Sequence, residues 1–224
     1  MANYYADQLN ANKLYQVYDT KYPRIKQYLN AEIAFVADRL RGDEHVWEIG
    51  AGYGRILRQL APHAAQLTGI DISQGSVDFS KAYLAKFPHC EVICMDVRNI
   101  SYNEQFDVVL AMQNALSSIK LPPMELIKLS LCALKPGGEV YMSTYSEKIW
   151  DHRLLWFQEQ AEKGLLGELD MDKSRDNVIV CKNGFSSVSF SWDELDSLGK
   201  ASGCPYTVQE VDDSCLFLIL KKEK

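Results

Sequence analysis

Apolar residues first recur at helical spacing at Ile25, Tyr28, Leu29, Ile33, Val36 and Leu40, between Pro23, which suits a first helical turn, and the breaker Gly42. The pattern predicts a helix packed by one face. Short apolar runs then follow at 45–49, 66–70, 90–95, 106–112 and 139–145, separated by helical patterns around 54–62, 74–87 and 122–134. That alternation predicts five parallel strands joined by right-handed crossovers. Local punctuation agrees: Ser73 is a candidate N-cap, Pro122 and Pro123 open a helix, and Lys135-Pro136-Gly137-Gly138 closes it.

Beyond residue 145 the pattern changes. Residues 146–177 give no strand signal but hold Trp150, His152, Leu154, Leu155, Trp156 and Phe157, which predict a helix outside the sheet. Runs at 178–181 and 187–190 flank Asn183-Gly184, a hairpin turn signal, and a helix is expected around 192–202. The runs at 206–211 and 215–220 are too close for a parallel crossover and predict an antiparallel edge. Residues 1–22 show no helical face of their own.

Composition narrows the class. With 224 residues, 47% hydrophobic and 24% charged, the chain can bury a core and is expected to form one domain, 1–224, with an N-terminal helical cap over 1–42 and an insertion over 146–190. Its formal charge of −6 disfavours nucleic acid and anionic membrane surfaces as partners. The six cysteines form no C-x-x-C pair; Cys90 and Cys94 share a face of an expected buried strand. Free thiols, the lack of an apolar core in the first thirty residues and the lack of a long apolar run lead us to expect a cytoplasmic protein with no membrane span.

The chemistry concentrates at Glu48-Ile49-Gly50-Ala51-Gly52-Tyr53-Gly54, where the first strand meets a helix. Three alternate glycines allow a tight turn and close approach of a ligand at a helix N-terminus; a tight turn alone needs one. Arg55 stands where the dinucleotide pattern G-x-G-x-x-G wants glycine or alanine, which weakens a dehydrogenase reading. Asp71 ends the second strand, where an acid can accept ribose hydroxyl protons. Asp96-Val97 ends the third, offering an acid and a backbone N–H to an adenine, unless Asp96 is merely a cap. Asp170, Asp172, Ser174 and Asp176 imitate the start of a calcium loop, but Arg175 and Cys181 at its sixth and twelfth positions do not fit, and a solvated loop is expected.

On these residues the sequence resembles the class I S-adenosylmethionine-dependent methyltransferases, small-molecule type. Glu48, Gly50, Gly52 and Gly54 match the family's first motif, Asp71 its ribose acid, Asp96-Val97 its adenine contact, and 134–138 its turn before strand five. The resemblance runs from about residue 45 to the end. It implies an α/β fold with a doubly wound, mostly parallel seven-stranded sheet of order 3-2-1-4-5-7-6, strand seven antiparallel. It further implies methyl transfer from S-adenosylmethionine, with S-adenosylhomocysteine as product, through Glu48, Gly50, Ala51, Gly52, Gly54, Asp71, Ile72, Asp96, Val97, Met112 and Arg24.

A small-molecule acceptor is expected beside Tyr18, Gln113, Asn114, Tyr145 and Trp156. Residues 111–116 lack the Asn/Asp-Pro-Pro signature of enzymes that methylate DNA amines or glutamine, and 146–148 lack the Asp-Asn pair of the magnesium-dependent catechol type, so no metal is expected. Six of the twelve tyrosines fall in the first 28 residues (Tyr4, Tyr5, Tyr15, Tyr18, Tyr22, Tyr28) and form either a lid over the cofactor or simple packing. His152 is a candidate general base for the acceptor proton; a surface or packing histidine is the alternative. A protein or RNA methyltransferase, or a catalytically silent cofactor-binding subunit, remains the alternative function, and the chain is expected to be a monomer or homodimer.

Overall fold

The computed structural model describes Leu9 and residues 11–224. Helices α1 (Ala11–Tyr18) and α2 (Pro23–Ala37) precede β1 (His45–Ile49), α3 (Arg55–Leu60), β2 (Gln66–Asp71), α4 (Gln74–Tyr83), β3 (Cys90–Cys94) and β4 (Phe106–Ala111). Then follow α5 (Ala115–Ser118), α6 (Pro123–Ala133), β5 (Leu134–Tyr145), α7 (Trp150–Glu162), the pair β6 (Val178–Val180) and β7 (Ser186–Val188), α8 (Trp192–Ser202), β8 (Tyr206–Val211) and β9 (Cys215–Lys221).

Seven strands form one sheet in the order β3-β2-β1-β4-β5-β9-β8, while β6 and β7 pair separately. Strands β1 to β5 are parallel and β9 is antiparallel to both neighbours. With β9 and β8 in the places of strands seven and six, this is the expected sheet order. Val46, Trp47, Val109, Leu110 and Ala111 are fully buried, as central strands covered on both faces require. Every parallel strand therefore delivers its carboxyl end to one edge, where loops can build a site.

Several boundaries differ from the periodicity, each for a local reason. Helix α4 stops at Tyr83, where the Leu84 side chain fills the space a Cβ on Gly54 would need. Helix α2 stops at Ala37, because the Glu44 carboxylate draws the Arg41 and Gly42 N–H groups into a turn. Strand β5 begins at Leu134, since the turn at Gly137 and Gly138 itself pairs with Lys222. Cys94 is exposed whereas Cys90 is buried, correcting the expectation that both are core residues; β3 is the sheet's edge strand. The expectation of no helical face in 1–22 also fails, because Leu14, Val17 and Tyr18 give α1 an inward face. Tyr4 and Tyr5 lie outside the described residues.

Candidate active site

The glycine turn after β1 opens the cavity. Gly50, Gly52 and Gly54 all hold positive φ, at 75°, 55° and 86°. Gly52 and Gly54 also need their bareness for close packing: a Cβ on Gly52 would sit 2.7 Å from Cδ2 of Leu14 in α1, and one on Gly54 2.8 Å from Cδ1 of Leu84. The Gly52 N–H donates to Oδ2 of Asp71 at 2.9 Å, and the Ser73 N–H to Oδ1 at 2.8 Å. Burial pushes the Asp71 carboxyl above its ordinary range, and the two N–H donors partly offset this. Its remaining lone pairs face the cavity, which it lines together with Gly50, Gly52 and Ile72. Ile72 is 40% exposed, an apolar surface at the rim.

Asp96 and Val97 follow β3 and line the same cavity. Asp96 caps a short turn through the Arg98 N–H and pairs with the Arg98 guanidinium, whose hydrogen bonds hold it below the usual carboxylate range. Met112 lines the floor beside Gln113.

Glu48, Ala51 and Gly54 stand behind this edge. The Ala51 Cβ occupies the space left by Gly69, and Gly54 caps α3, so both fix the turn without facing the cavity. Glu48 is 3% exposed, with Oε2 unpartnered; burial pushes its carboxyl up to about 8, against the pull of Arg55. Arg55 is buried as well and lies 4.3 Å over the Tyr18 ring. Burial opposes its charge, yet Tyr18, Glu32, Tyr53 and Glu48 together raise its pKa.

The opposite end of the cavity is aromatic. Tyr18 of α1, Tyr145 of β5, Trp156 and Phe157 of α7, and Phe185 of the β6–β7 loop line it. Helix α7 latches α1: the Trp156 indole N–H donates to the Val17 carbonyl at 3.0 Å, and Glu159 accepts from the Thr20 hydroxyl and the Lys21 N–H. The buried Arg153 binds the hairpin, donating to the carbonyls of Asn177 and Ser187 and the hydroxyls of Ser187 and Ser189, and lies 4.3 Å over the Tyr145 ring. Helix α1 is thus both a cover and a packing element.

Gln113 and Asn114 adopt left-handed φ of 54° and 61° at the end of β4. Buried contacts hold them there: the Gln113 N–H donates to Glu32 and Ser143, and the Asn114 N–H to the Ser143 carbonyl.

Three further expected site residues also lie away from the cavity. Arg24 pairs with Asp212 and donates to its carbonyl, which draws it to the β8–β9 turn rather than the cofactor edge. Asn114 spends its amide on the Val188 carbonyl and the Thr144 hydroxyl, both 2.8 Å away, and so anchors the hairpin. His152 is exposed on α7, one turn before Trp156, and does not line the cavity. A general base at His152 is therefore withdrawn.

Glu32, Arg153, Gln160, Phe157 and Phe185 were not expected. Glu32 carried a signal, since it falls between Leu29 and Ile33 on the apolar face of α2 and a carboxylate there must be paired. The others belong to segments whose position depends on long-range packing. Among the described residues, no group of three or more His, Cys, Asp or Glu could hold a metal ion, and no helix is long and apolar enough to cross a membrane.

Residues 46–138 match the family described as a methyltransferase domain. A ubiquinone biosynthesis O-methyltransferase of Coxiella burnetii is 30% identical over 103 residues, 45% of this chain and 43% of that protein, so the chain spans less than half the length of this curated relative. The N-methyltransferase NodS of Bradyrhizobium japonicum WM9, solved with S-adenosylhomocysteine, is 16% identical with both chains fully covered and a TM-score of 0.61. The [4+2]-cyclase SpnF is 16% identical over 96% of each chain, with a TM-score of 0.62. The architecture is that of the class I S-adenosylmethionine-dependent methyltransferase fold, and the match to the methyltransferase-domain family covers residues 46–138. A neighbour named as a cyclase shows that this fold alone leaves the reaction open.

Proposed function

We propose that this chain transfers the methyl group of S-adenosylmethionine to a small-molecule acceptor and releases S-adenosylhomocysteine. The carrying observation is one continuous cavity that joins the Gly52–Asp71 edge to an enclosed aromatic end. The bound cofactor supplies a methyl group activated by its sulfonium.

The residues fit such a ligand. Asp71 retains acceptor capacity for ribose hydroxyls beyond its two N–H contacts, Ile72 offers an apolar face to the adenine, and Asp96 with the Val97 N–H would read the ring's edge. The positive φ at Gly50 and Gly52 turns backbone rather than side chains toward the ligand. At the other end Tyr18, Tyr145, Trp156, Phe157 and Phe185 exclude water and fix the orientation of the acceptor, which is the main demand of an in-line displacement. Among the described lining residues the one Lys or Arg is Arg98, and it is paired with Asp96. That favours a small acceptor over RNA, which would call for an open basic groove.

Titration calorimetry with S-adenosylhomocysteine tests the cofactor edge. Micromolar or tighter binding is expected, and Asp71→Ala should weaken it at least about hundredfold, as two lost charge-assisted hydrogen bonds imply. Unchanged affinity in that variant would sink the ribose assignment. Turnover on hydroxylated and aminated small aromatics but not on RNA or protein is expected; the reverse result would refute the acceptor class.

A further inference from the structure

The floor of the aromatic end carries one polar side chain whose orientation is settled by what lies beneath it. Glu32 has no solvent exposure, and its carboxylate receives hydrogen bonds from the Ser143 hydroxyl, the Gln113 backbone N–H at 3.0 Å and the Gln113 amide nitrogen Nε2. Nε2 also donates to the Tyr28 hydroxyl at 3.0 Å. Apart from that amide, the Glu32 carboxyl accepts from the Ser143 hydroxyl and the Gln113 backbone N–H, an acceptor role that the amide nitrogen complements and the amide oxygen does not. Turning the Gln113 amide over would set oxygen against oxygen in a buried site. Both amide protons are therefore committed to the protein, and Oε1 of Gln113 is left without a hydrogen-bond partner among the described residues.

We propose that Gln113, aimed by the buried Glu32, selects the acceptor: its amide oxygen takes a hydrogen bond from an N–H or O–H group on the atom to be methylated. This rests on the function proposed above, and it narrows the acceptor to hydrogen-bearing amines and hydroxyls. Carbon, thioether and fully substituted nitrogen acceptors have no proton to give, and they would bury the carbonyl unpaired. Gln113 contacts the acceptor, whereas Glu32 is a positioning residue. The left-handed backbone at Gln113 and Asn114 serves this arrangement, because it lets one residue direct both its N–H and its amide nitrogen at the same carboxylate.

Matched probes decide the matter without knowledge of the natural acceptor. Phenol against anisole, and aniline against N,N-dimethylaniline, are titrated by ligand-observed NMR into protein saturated with S-adenosylhomocysteine. Phenol and aniline should bind about tenfold more tightly than their methylated partners. In Gln113→Leu the preference should fall to within about twofold, and a preference that survives would reflect size alone and overturn the proposal. Glu32→Gln frees the amide to turn over and should lose most of the preference, with S-adenosylhomocysteine affinity measured alongside to confirm folding. If that variant does not fold, the wild-type and Gln113→Leu titrations still decide. Equal binding of donors and non-donors, or no binding of phenol and aniline, overturns the selection by Gln113 and leaves the cofactor edge standing. Failure of S-adenosylhomocysteine itself to bind overturns both.

Discussion

The cofactor edge draws its groups from residues 50–52, 71–72 and 95–98, each beside the carboxyl end of a strand, whereas the aromatic end gathers Tyr18, Tyr145, Trp156 and Phe185 from four distant parts of the chain. At the first, backbone conformation and two N–H donors place the key acid. At the second, peripheral elements are tied together by buried polar groups: Glu159 of α7 holds Thr20 just after α1, Arg153 of α7 holds the hairpin, and Glu32 of α2 holds the β4 loop. The sheet dictates the first region, so that region can stay constant while the second is rebuilt. On the function proposed above, acceptor choice then rests on cap and insertion together with the β4 loop they hold, and cofactor binding on the ends of β1 to β3.

The largest effect that would sharpen this contrast is expected at Gly52. Gly52→Val demands left-handed backbone from a β-branched residue and drives its Cβ toward Leu14, so cofactor affinity should fall at least as far as in Asp71→Ala. Calorimetry showing native affinity would mean that the cap gives way freely, and the separation of the two regions would have to be redrawn. Next comes Trp156→Ala. It removes a side chain only 2% exposed together with its bond to Val17, and should cost about 3–5 kcal/mol in urea unfolding. Loss of less than about 1 kcal/mol would show that α7 does not hold the cap.

The same contrast explains what could be read from the residues alone. The placement of Gly50, Gly52, Asp71 and Asp96 at the cavity edge was legible because each sits at a fixed offset from a strand end, and the strands announce themselves by apolar runs. Gln113 was legible by position, but its partner Glu32 lies 81 residues away, and periodicity cannot say which carboxylate meets which amide. Arg24 misled for the same reason. A basic residue near the aromatic segment invites a ligand role until the β8–β9 turn, 188 residues later, supplies Asp212. Asn114 follows Gln113 directly, yet the turn sends its side chain to the hairpin.

Glu48 offers a subtler way to test whether the glycine turn is pre-built at an energetic cost. Its folded pKa of about 8 exceeds the ordinary 4.5, so the folded state holds a proton that the unfolded chain releases between these values. The stabilisation linked to that proton is complete below about pH 4.5 and is lost as pH rises through about 8, at up to about 1.4 kcal/mol per pH unit. Glu48→Gln should remove this slope and give its largest relative stabilisation near pH 9. Parallel stability profiles for variant and wild type between pH 5 and 9 would show that the carboxyl titrates normally and that Arg55 compensates its burial.

The smallest expected effect is at His152, and its smallness is informative. Helix α7 presents Trp156, Phe157 and Gln160 to the cavity, while His152, four residues before Trp156 but slightly rotated about the axis, points to solvent. A base must come within hydrogen-bond reach of the proton it takes, directly or through one water, and His152 does not line the cavity. His152→Ala should therefore change stability by less than about 0.5 kcal/mol and leave both turnover and its acidic limb as in the wild type. A variant that kept cofactor affinity but lost most of its turnover would mean that α7 rotates when the acceptor binds. The aromatic end would then be a moving part, and the contrast between a fixed cofactor edge and a packed acceptor end would give way to one between a fixed edge and a mobile one.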